Sequence, residues 1–357
     1  MVLLTANFAY AEARGRRALF VSLVQDPPVF TSDQAMRDLV QFAKKSHSDT
    51  LFVQVYRSNI AWFASKVSDT TEYEASRKNL RHDPLRFLIR EAHASGIEVH
   101  AWLNLLSLSA NTEAPILKRY GLDVLTCDVK PKKNVEDYKI DNQYFLEPGD
   151  GRVRRVLATA VEELVRAYPE LDGIQFDYIR YPDVHPVYGY APMNVDRFKK
   201  ASGLQRFNND SPRWQQWKRS QVTDLLKELI QKARAIHPGI QVSTTGLMPF
   251  TRAYYEGFQD WKSWLSDNLV DFVTLMCYYD STKDFELAIT SVKKIVPDLT
   301  RVNLAAGPYK FLHSPEIFDE QFPIAERAGF RDVALLHYGS FLENPRLGRL
   351  VTGDRKQ

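Results

Sequence analysis

The chain lacks most of the features that would assign it to a specialised class of protein. Only two of its 357 residues are cysteines, Cys127 and Cys277, and no cluster of Cys and His with metal-ligand spacing accompanies them. We therefore expect no disulfide framework and no metal site, and Cys277, in an apolar segment, is expected to be a buried free thiol. The sequence has no run of about 18 or more apolar residues, so it predicts no membrane span.

An excess of charge of one sign is also missing. Lys and Arg number 47 against 44 Asp and Glu, which gives a formal net charge of +3. The densest basic patch, residues 130–133, is too short to follow the phosphates of a nucleic acid. The first predicted strand is followed by Gln-Asp-Pro-Pro at 25–28, which lacks the glycines of a dinucleotide site. We expect no nucleic-acid partner.

Aromatic residues, by contrast, are plentiful. The chain has 17 Tyr and 6 Trp, largely near the ends of predicted strands. Flat amphipathic rings at such places suit the lining of a groove, although filler for a large core is the alternative interpretation.

The first 14 residues form a separate segment. An apolar stretch that ends in Ala9-Tyr10-Ala11 resembles the end of a secretory signal peptide without its basic start. We expect a secreted or periplasmic protein; a plain extension on a cytoplasmic protein is the alternative. Residues 15–357 show no break in composition and are expected to form one domain, which we expect to be a monomer.

The order of predicted elements indicates the fold class. Eight short, apolar, β-branched runs alternate with helical patterns or long loops, without a linker between them. This alternation predicts a single α/β domain, a closed (β/α)8 TIM barrel; an open doubly wound sheet would fit it too, but the phosphate-binding glycines of that fold are missing. The predicted strands are Ala18–Val24, Thr50–Tyr56, Glu98–Asn104, Gly173–Ile179, Gln241–Leu247, Asp271–Tyr279, Arg301–Tyr309 and Val333–Tyr338.

The connecting segments carry helix signals and two unusual lengths. Ser32 is expected to cap one helix and Asp83 another, in which Pro84 takes the first turn. Further helices are predicted around 222–233, 284–295 and 315–328. Two connections, 104–150 after the third strand and 180–214 after the fourth, are too long to be simple turns. Both leave the carboxyl ends of strands, where barrel enzymes place their sites, so they are expected to form groove walls.

The fourth predicted strand carries the densest group of chemical side chains. Alternation along it places Gln175 and Asp177 inside the barrel, and Phe176 and Tyr178 on the outer side. A buried carboxylate is costly unless it is paired or used. Arg180 is an obvious partner for Asp177, so a purely structural ion pair is the alternative to a catalytic role.

The stretch Leu-Asp-Gly-Ile-Gln-Phe-Asp-Tyr-Ile-Arg-Tyr-Pro at 171–182 resembles glycosyl-hydrolase-like family 10. The helix start at 83–85, the segment 96–104, and Leu-Glu-Pro-Gly at 146–149 followed by Val153-Arg154 are also similar to that family. The resemblance implies a TIM barrel that hydrolyses glycosidic bonds in polysaccharides without a cofactor. Tyr178 stands where the commoner family motif has a second Asp, which weakens a paired-acid site on this strand.

A second carboxylate is therefore sought elsewhere. Asp280 follows the sixth predicted strand, on the same face as Asp177, and the segment 276–280 is similar in type to one in chitinase barrels. Chitinase chemistry itself is excluded, because Ile179 replaces the catalytic Glu. We expect Asp280 to be the partner acid, with substrate binding or structure as its alternative roles. Competing carboxylates near strand ends are Asp26, Glu256, Asp260 and Glu343.

The remaining strand ends are expected to bind sugar, through aromatic faces and through polar groups that reach hydroxyls. The candidates are Arg57, Trp102, Asn104, Tyr178, Arg180, Tyr278, Tyr309 and Tyr338, and Thr245, Met248 and His337 are further candidates.

Three functions fit this sequence. The first is an exported glycoside hydrolase in which Asp177 is the base or nucleophile and Asp280 the acid. The second is a non-catalytic carbohydrate-binding barrel with a degenerate site, and the third is a barrel enzyme of small-molecule metabolism.

Overall fold

The computed structural model describes residues 15–296, 298–311 and 314–353. The segment predicted as the end of a signal peptide, residues 1–14, lies outside the described residues. At the centre of the described elements is a sheet closed on itself.

Eight parallel strands form this barrel. The first strand pairs with both the second and the eighth, which closes the sheet. The predicted TIM barrel is thereby confirmed. The barrel strands are β1 (Arg17–Val21), β2 (Thr50–Arg57), β3 (Glu98–Asn104), β4 (Gly173–Asp177), β5 (Gln241–Gly246), β6 (Phe272–Met276), β7 (Val302–Ala306) and β8 (Val333–Leu335).

Most strands are shorter at their carboxyl ends than the sequence predicted. β4 ends at Asp177 instead of Ile179, β6 at Met276 instead of Tyr279, and β8 at Leu335 instead of Tyr338. The residues beyond these ends are still largely apolar or aromatic because they pack as loops over the barrel. An apolar run therefore marked burial correctly but not the point where pairing stops.

Helices surround the barrel, and their capping follows the sequence. The Ser32 side chain accepts a hydrogen bond from the Ala35 N–H, and the Asp83 side chain accepts one from the Arg86 N–H, as predicted. The helix at 71–80 was not predicted. The α-helices are Asp33–Lys45, Thr71–Leu80, Pro84–His93, Pro115–Tyr120, Gly151–Ala167, Pro192–Ser202, Pro212–Ile236, Phe250–Tyr255, Trp261–Ser266, Thr282–Ile295, Pro315–Arg327, Tyr338–Glu343 and Pro345–Thr352.

The two long connections are folded segments. The connection after β3 contains an antiparallel pair, Ser107–Ser109 with Tyr144–Phe145, and the short helix at 115–120. The connection after β4 contains the helix at 192–202. Both lie at the carboxyl ends of the strands, as expected for the walls of a site.

The inside of the barrel is packed with aromatic rings. The ring of Phe20 lies with its centroid 4.7 Å from that of Phe52 and 4.9 Å from that of Trp102. A larger apolar layer between strands and helices surrounds this inner cluster. The interior of the barrel is thus filled by side chains at this level.

Three further observations concern the described part of the chain. Cys127 and Cys277 are buried and free. None of the described helices is long and apolar enough to cross a membrane. The described Cys, His, Asp and Glu side chains form no group that could hold a metal ion.

Candidate active site

A cavity of about 520 Å³ opens at the carboxyl ends of the strands. Its floor includes Phe20 and Trp102, and the long connection after β3 contributes polar groups such as Ser107 and Gln143. Seven residues that the sequence singled out line it together: Arg57, Trp102, Asn104, Asp177, Tyr178, Arg180 and Tyr278.

Asp177 lies at the base of this cavity with both carboxylate oxygens accepting hydrogen bonds. One oxygen, Oδ2, accepts from Trp102 Nε1 at 3.0 Å and from Asn104 Nδ2 at 3.2 Å. The other, Oδ1, accepts from the Thr245 hydroxyl and, at 2.7 Å, from the backbone N–H of Tyr178. Only 5% of Asp177 is exposed. Two of the four donors come from β3, one comes from β5 and one from the turn after β4, so the carboxylate is held in one orientation.

A chain of amides fixes which end of Asn104 faces Asp177. The Ser22 hydroxyl donates to Gln54 Oε1 at 3.0 Å, and Gln54 Nε2 donates to Asn104 Oδ1 at 2.8 Å. The amide nitrogen of Asn104 is therefore left to donate to Asp177. Because β2, β3 and β4 each contribute one member and Ser22 directly follows β1, the orientation of the carboxylate depends on the closed sheet.

Tyr178 corrects the prediction made from alternation. Its backbone φ is 51°, in the left-handed region, which costs a non-glycine residue roughly 1–3 kcal/mol. This turn ends β4 and reverses the expected sides, so that Tyr178 lines the cavity while Ile179 is fully buried in the outer core. The prediction that Tyr178 faces outward was wrong because the strand stops one residue before it.

Arg180 is a buried cation with two carboxylate neighbours. Its guanidinium lies 3.7 Å from Asp177 Oδ1 and 3.4 Å from Asp183 Oδ1, and it stacks 4.2 Å from the Tyr178 ring centroid. Burial opposes its charge, but the carboxylates of Asp183 and Asp177 raise the pKa of Arg180 above its ordinary value. Its buried Nη1 has no hydrogen-bond partner. The ion pair with Asp177 is therefore a long one, without a hydrogen bond between the two groups.

Three predicted site residues lie outside the cavity lining. Asp280 is exposed, four residues beyond the end of β6. Tyr309 packs edge-on against Tyr278, with 5.7 Å between ring centroids, and is 37% exposed. Tyr338 is buried in the core against Phe42, since the short helix that follows β8 turns its side chain away from the cavity.

No other carboxylate joins Asp177 among the described residues that line this cavity. Asp260 instead caps the helix at 261–266 through the N–H of Ser263. Asp26 and Glu343 are exposed. The cavity thus holds one carboxylate, and the paired arrangement expected from the sequence is not formed within it.

Two residues that the sequence analysis passed over or mentioned only in passing are part of the site. Gln54 was missed, although alternation from Phe52 along β2 would have pointed it inward. His337 lines the cavity next to the buried Tyr338. Its position depends on where β8 ends, which the apolar pattern did not show.

Relatives of known sequence share much of the barrel. A sequence profile of the family described as glycosyl hydrolase-like 10 matches residues 17–321. The chain is 25% identical over 299 residues to the glycosyl hydrolase DigH of Escherichia coli K12, covering 78% of this chain and 66% of DigH. It is 24% identical over 264 residues to the glycosyl hydrolase YngK of Bacillus subtilis, covering 68% and 48% respectively. The chain spans just under two thirds of the first relative and about half of the second.

Solved structures resemble the whole fold. The PgaB (BpsB) glycoside hydrolase domain from Bordetella bronchiseptica gives a TM-score of 0.72 at 16% identity, covering 94% of this chain and 98% of that domain. The catalytic domain of beta-amylase from Paenibacillus polymyxa gives 0.61 at 13% identity, covering 96% and 99%. At such identities the likeness concerns the fold alone. Since the sequence profile matches most of the chain, the protein belongs to the glycosyl hydrolase-like 10 family.

Proposed function

We propose that the protein is a glycoside hydrolase that cleaves a polysaccharide, with Asp177 as the carboxylate at the reacting bond. The observation that carries this proposal is a single carboxylate held by four donors at the base of an open cavity. Family membership supports the reaction class, and the residues that line the cavity support the substrate class.

The hydrogen bonds assign a role to Asp177. All four of its neighbours donate, so both oxygens act as acceptors. A general acid must carry a proton to give away, whereas a base, a nucleophile or a stabiliser of positive charge must not. Asp177 therefore acts on the anomeric carbon or on the attacking water, and the proton for the leaving oxygen comes from another group.

The cavity wall suits a sugar ring. Trp102, Tyr178 and Tyr278 present aromatic surface, and Arg57 and Arg180 present hydrogen-bond donors. Aromatic faces pack on the apolar C–H faces of a pyranose while donors reach its hydroxyl oxygens. Such a mixture of flat apolar and polar groups is typical of carbohydrate sites.

Asp280 remains our candidate for the acid, under one condition. Its exposed position after β6 requires the loop that carries it to bring the carboxylate to the cavity when a sugar binds. An Asp280→Asn variant tests this role: a fall in turnover of about 10²- to 10⁴-fold would support Asp280 as the acid, and nearly unchanged turnover, the result expected from its exposed position, would reject it.

A non-catalytic carbohydrate-binding barrel is the second candidate. The observation that favours it is that Asp177 has no second carboxylate beside it among the described cavity residues. Such a protein would bind glycans at the same cavity without cleaving them.

A panel of polysaccharides separates the two candidates. Each is incubated with the wild-type protein and with Asp177→Asn, and released reducing ends and bound glycan are both measured. The hydrolase proposal expects new reducing ends with the wild type only. Binding of a glycan without any release would reject hydrolysis of that glycan and favour the second candidate.

Export and a monomeric state are further proposals. The apolar segment at 1–14 supports export, and cell fractionation of the natural producer tests it. Recovery in the cytoplasmic fraction alone would contradict export. Light scattering of the purified protein tests the monomer, and a mass twice the 41.1 kDa chain mass would contradict it.

A further inference from the structure

His337 lines the cavity, but no contact described so far gives it a specific role in the site. It lies two residues beyond the end of β8, and its ring lines the same cavity as Asp177. The two ring nitrogens have different surroundings, because the backbone makes a hydrogen bond to only one of them.

One hydrogen bond determines where the neutral ring carries its proton. The backbone N–H of Gly339 donates to His337 Nδ1 at 3.1 Å. A ring nitrogen that accepts cannot also carry a proton, so the proton of the neutral imidazole is on Nε2. His337 also takes the N-cap position of the short helix at 338–343 through this bond.

The close approach of the ring depends on the residue that follows. A Cβ built on Gly339 would lie 2.8 Å from Cε1 and 2.9 Å from Nδ1 of His337, so a side chain at 339 would displace the ring. Glycine at 339 thus lets the ring lie against the backbone.

The charge of the His337 ring and the partner-free Nε2 determine which interaction the residue can make with a ligand. Burial lowers the pKa of His337, with only Glu343 opposing, so the ring is neutral at pH 7. Within the described residues the structure gives Nε2 no hydrogen-bond partner, although Nδ1 has one. A neutral N–H donor on the wall of a cavity requires an acceptor from a ligand or from water.

We propose that His337 is a substrate-binding residue whose Nε2–H donates to an oxygen of the bound sugar. The inference rests on the proposed carbohydrate function and adds a specificity-determining donor on the β8 side of the cavity. The ring binds and orients the sugar, and it does not act as the acid, since its proton is held by a neutral imidazole.

Two substitutions separate this role from helix capping. In His337→Asn the side-chain oxygen can still accept from the Gly339 N–H, but no donor extends to the position of Nε2. In His337→Gln the longer amide places a nitrogen near the position of Nε2, but the cap is lost. Each variant therefore keeps one of the two functions of His337 and removes the other.

The experiment measures melting temperature and kcat/KM for both variants on the glycan that the wild type hydrolyses. We expect His337→Asn to melt near the wild-type temperature with kcat/KM about tenfold lower, the worth of one hydrogen bond to a ligand. We expect His337→Gln to melt lower but to keep kcat/KM within roughly threefold of the wild type, because a donor is restored. Wild-type kcat/KM in the Asn variant would overturn the proposal, as would a loss that follows the melting temperature in both variants.

Failure of the hydrolase proposal has a different signature. If the wild type binds a glycan and releases no reducing ends, hydrolysis fails, and the same comparison is made with dissociation constants. A weaker complex for His337→Asn than for His337→Gln then still supports the donor role, and equal affinities of all three proteins overturn it. If the wild type binds no glycan of the panel, both proposals fall together.

Discussion

Two buried carboxylates close to the long connections of this barrel have opposite surroundings. Asp177 lines the cavity and accepts from four donors. Glu147, at the end of the connection after β3, is fully buried and accepts at one oxygen from the Tyr181 hydroxyl and from the Gly149 N–H. Its other oxygen, Oε2, has no hydrogen-bond partner. The first carboxylate is arranged to meet a ligand and the second to hold protein together.

The partner of Glu147 explains its place in the structure. Tyr181 directly follows Arg180, so its bond to Glu147 joins the two long connections just behind the cavity wall. Asn194 adds a donor to the same hydroxyl at 3.4 Å and another to Gly189 O at 2.8 Å. Burial raises the pKa of Glu147 to about 7, which hydrogen bonds from Tyr181 and Gly149 only partly offset. The comparison teaches that burial and a raised pKa do not by themselves indicate a carboxylate of the site; such a carboxylate must also reach the cavity.

The largest expected effect on stability concerns Glu147. The unfolded chain releases this proton near pH 4.5, while the folded protein keeps it to about pH 7. Its contribution to stability is therefore complete below pH 4.5 and is lost as the pH rises through 7. Glutamine has no proton to lose in this range. We therefore expect the difference in unfolding free energy, Glu147→Gln minus wild type, to increase by on the order of 3 kcal/mol when the pH is raised from 4.5 to 8. Urea unfolding at both pH values measures this.

The charged neighbours of Glu147 affect a different range. These are Asp150 and Lys218. Burial lowers the pKa of Lys218 to about 7 from its usual 10.5. The charged lysine therefore destabilises the folded protein at low pH, and the free energy of unfolding rises as the pH increases from 7 towards 10.5. Glu72→Gln, an exposed control on the helix at 71–80, should change stability little at either pH. An equal response of the two Gln variants would contradict the assignment to Glu147.

The next largest effect concerns the donors to Asp177. Trp102→Phe removes the indole N–H and keeps most of the ring, so a hydrogen bond to a charged group is lost. Such a bond is worth about 1.5–3 kcal/mol, and we expect kcat to fall roughly 10- to 100-fold.

A matched control is available in the helix at 261–266. Trp264 is also buried, and its Nε1 donates to the Thr223 hydroxyl at 2.9 Å, away from the cavity. Trp264→Phe makes the same chemical change there and should lower the melting temperature without lowering kcat. A wild-type kcat in Trp102→Phe, or equal losses of kcat in both variants, would break the distinction between site and scaffold.

A smaller effect is expected one step further along the amide chain. Gln54→Met keeps volume but leaves Asn104 Oδ1 without its donor, so the Asn104 amide is free to turn away from Asp177. We expect a loss in kcat of about fivefold, the worth of one neutral hydrogen bond, with KM nearly unchanged. Steady-state kinetics measure both. A rise in KM alone would mean that Gln54 binds sugar directly and does not act through Asn104.

The smallest expected effect concerns Asp280, which the sequence paired with Asp177 and which the structure places outside the cavity lining. If the loop after β6 stays where the structure places it, Asp280→Asn leaves kcat within about twofold, the change expected of an exposed substitution away from the chemistry. A fall of about 10²-fold or more would restore Asp280 as the acid and require the loop to close on the sugar. The pH profile of kcat distinguishes the two, since loss of a catalytic acid removes its alkaline limb.

The sequence predicted the barrel and its main carboxylate because both depend on local patterns. Alternation in β4 placed Gln175 and Asp177 inside, and Ser32 and Asp83 cap helices as expected. What it could not give were the points at which strands end, since these are set by pairing with distant strands. Tyr178 turns into the cavity, Tyr338 turns out of it, and Asp280 lies beyond it for this single reason. Gln54, by contrast, could have been found from the pattern that revealed Asp177.

The most direct measurement compares turnover and affinity for one oligosaccharide in the wild type and Asp177→Asn, with melting temperatures as the check on folding. The account predicts that turnover falls about 10²- to 10⁴-fold while the dissociation constant changes far less, because the lost charge acts on the reacting bond. Since an amide places a donor against the existing donors, Asp177→Ala serves as the second variant. Wild-type turnover in either folded variant would contradict the account.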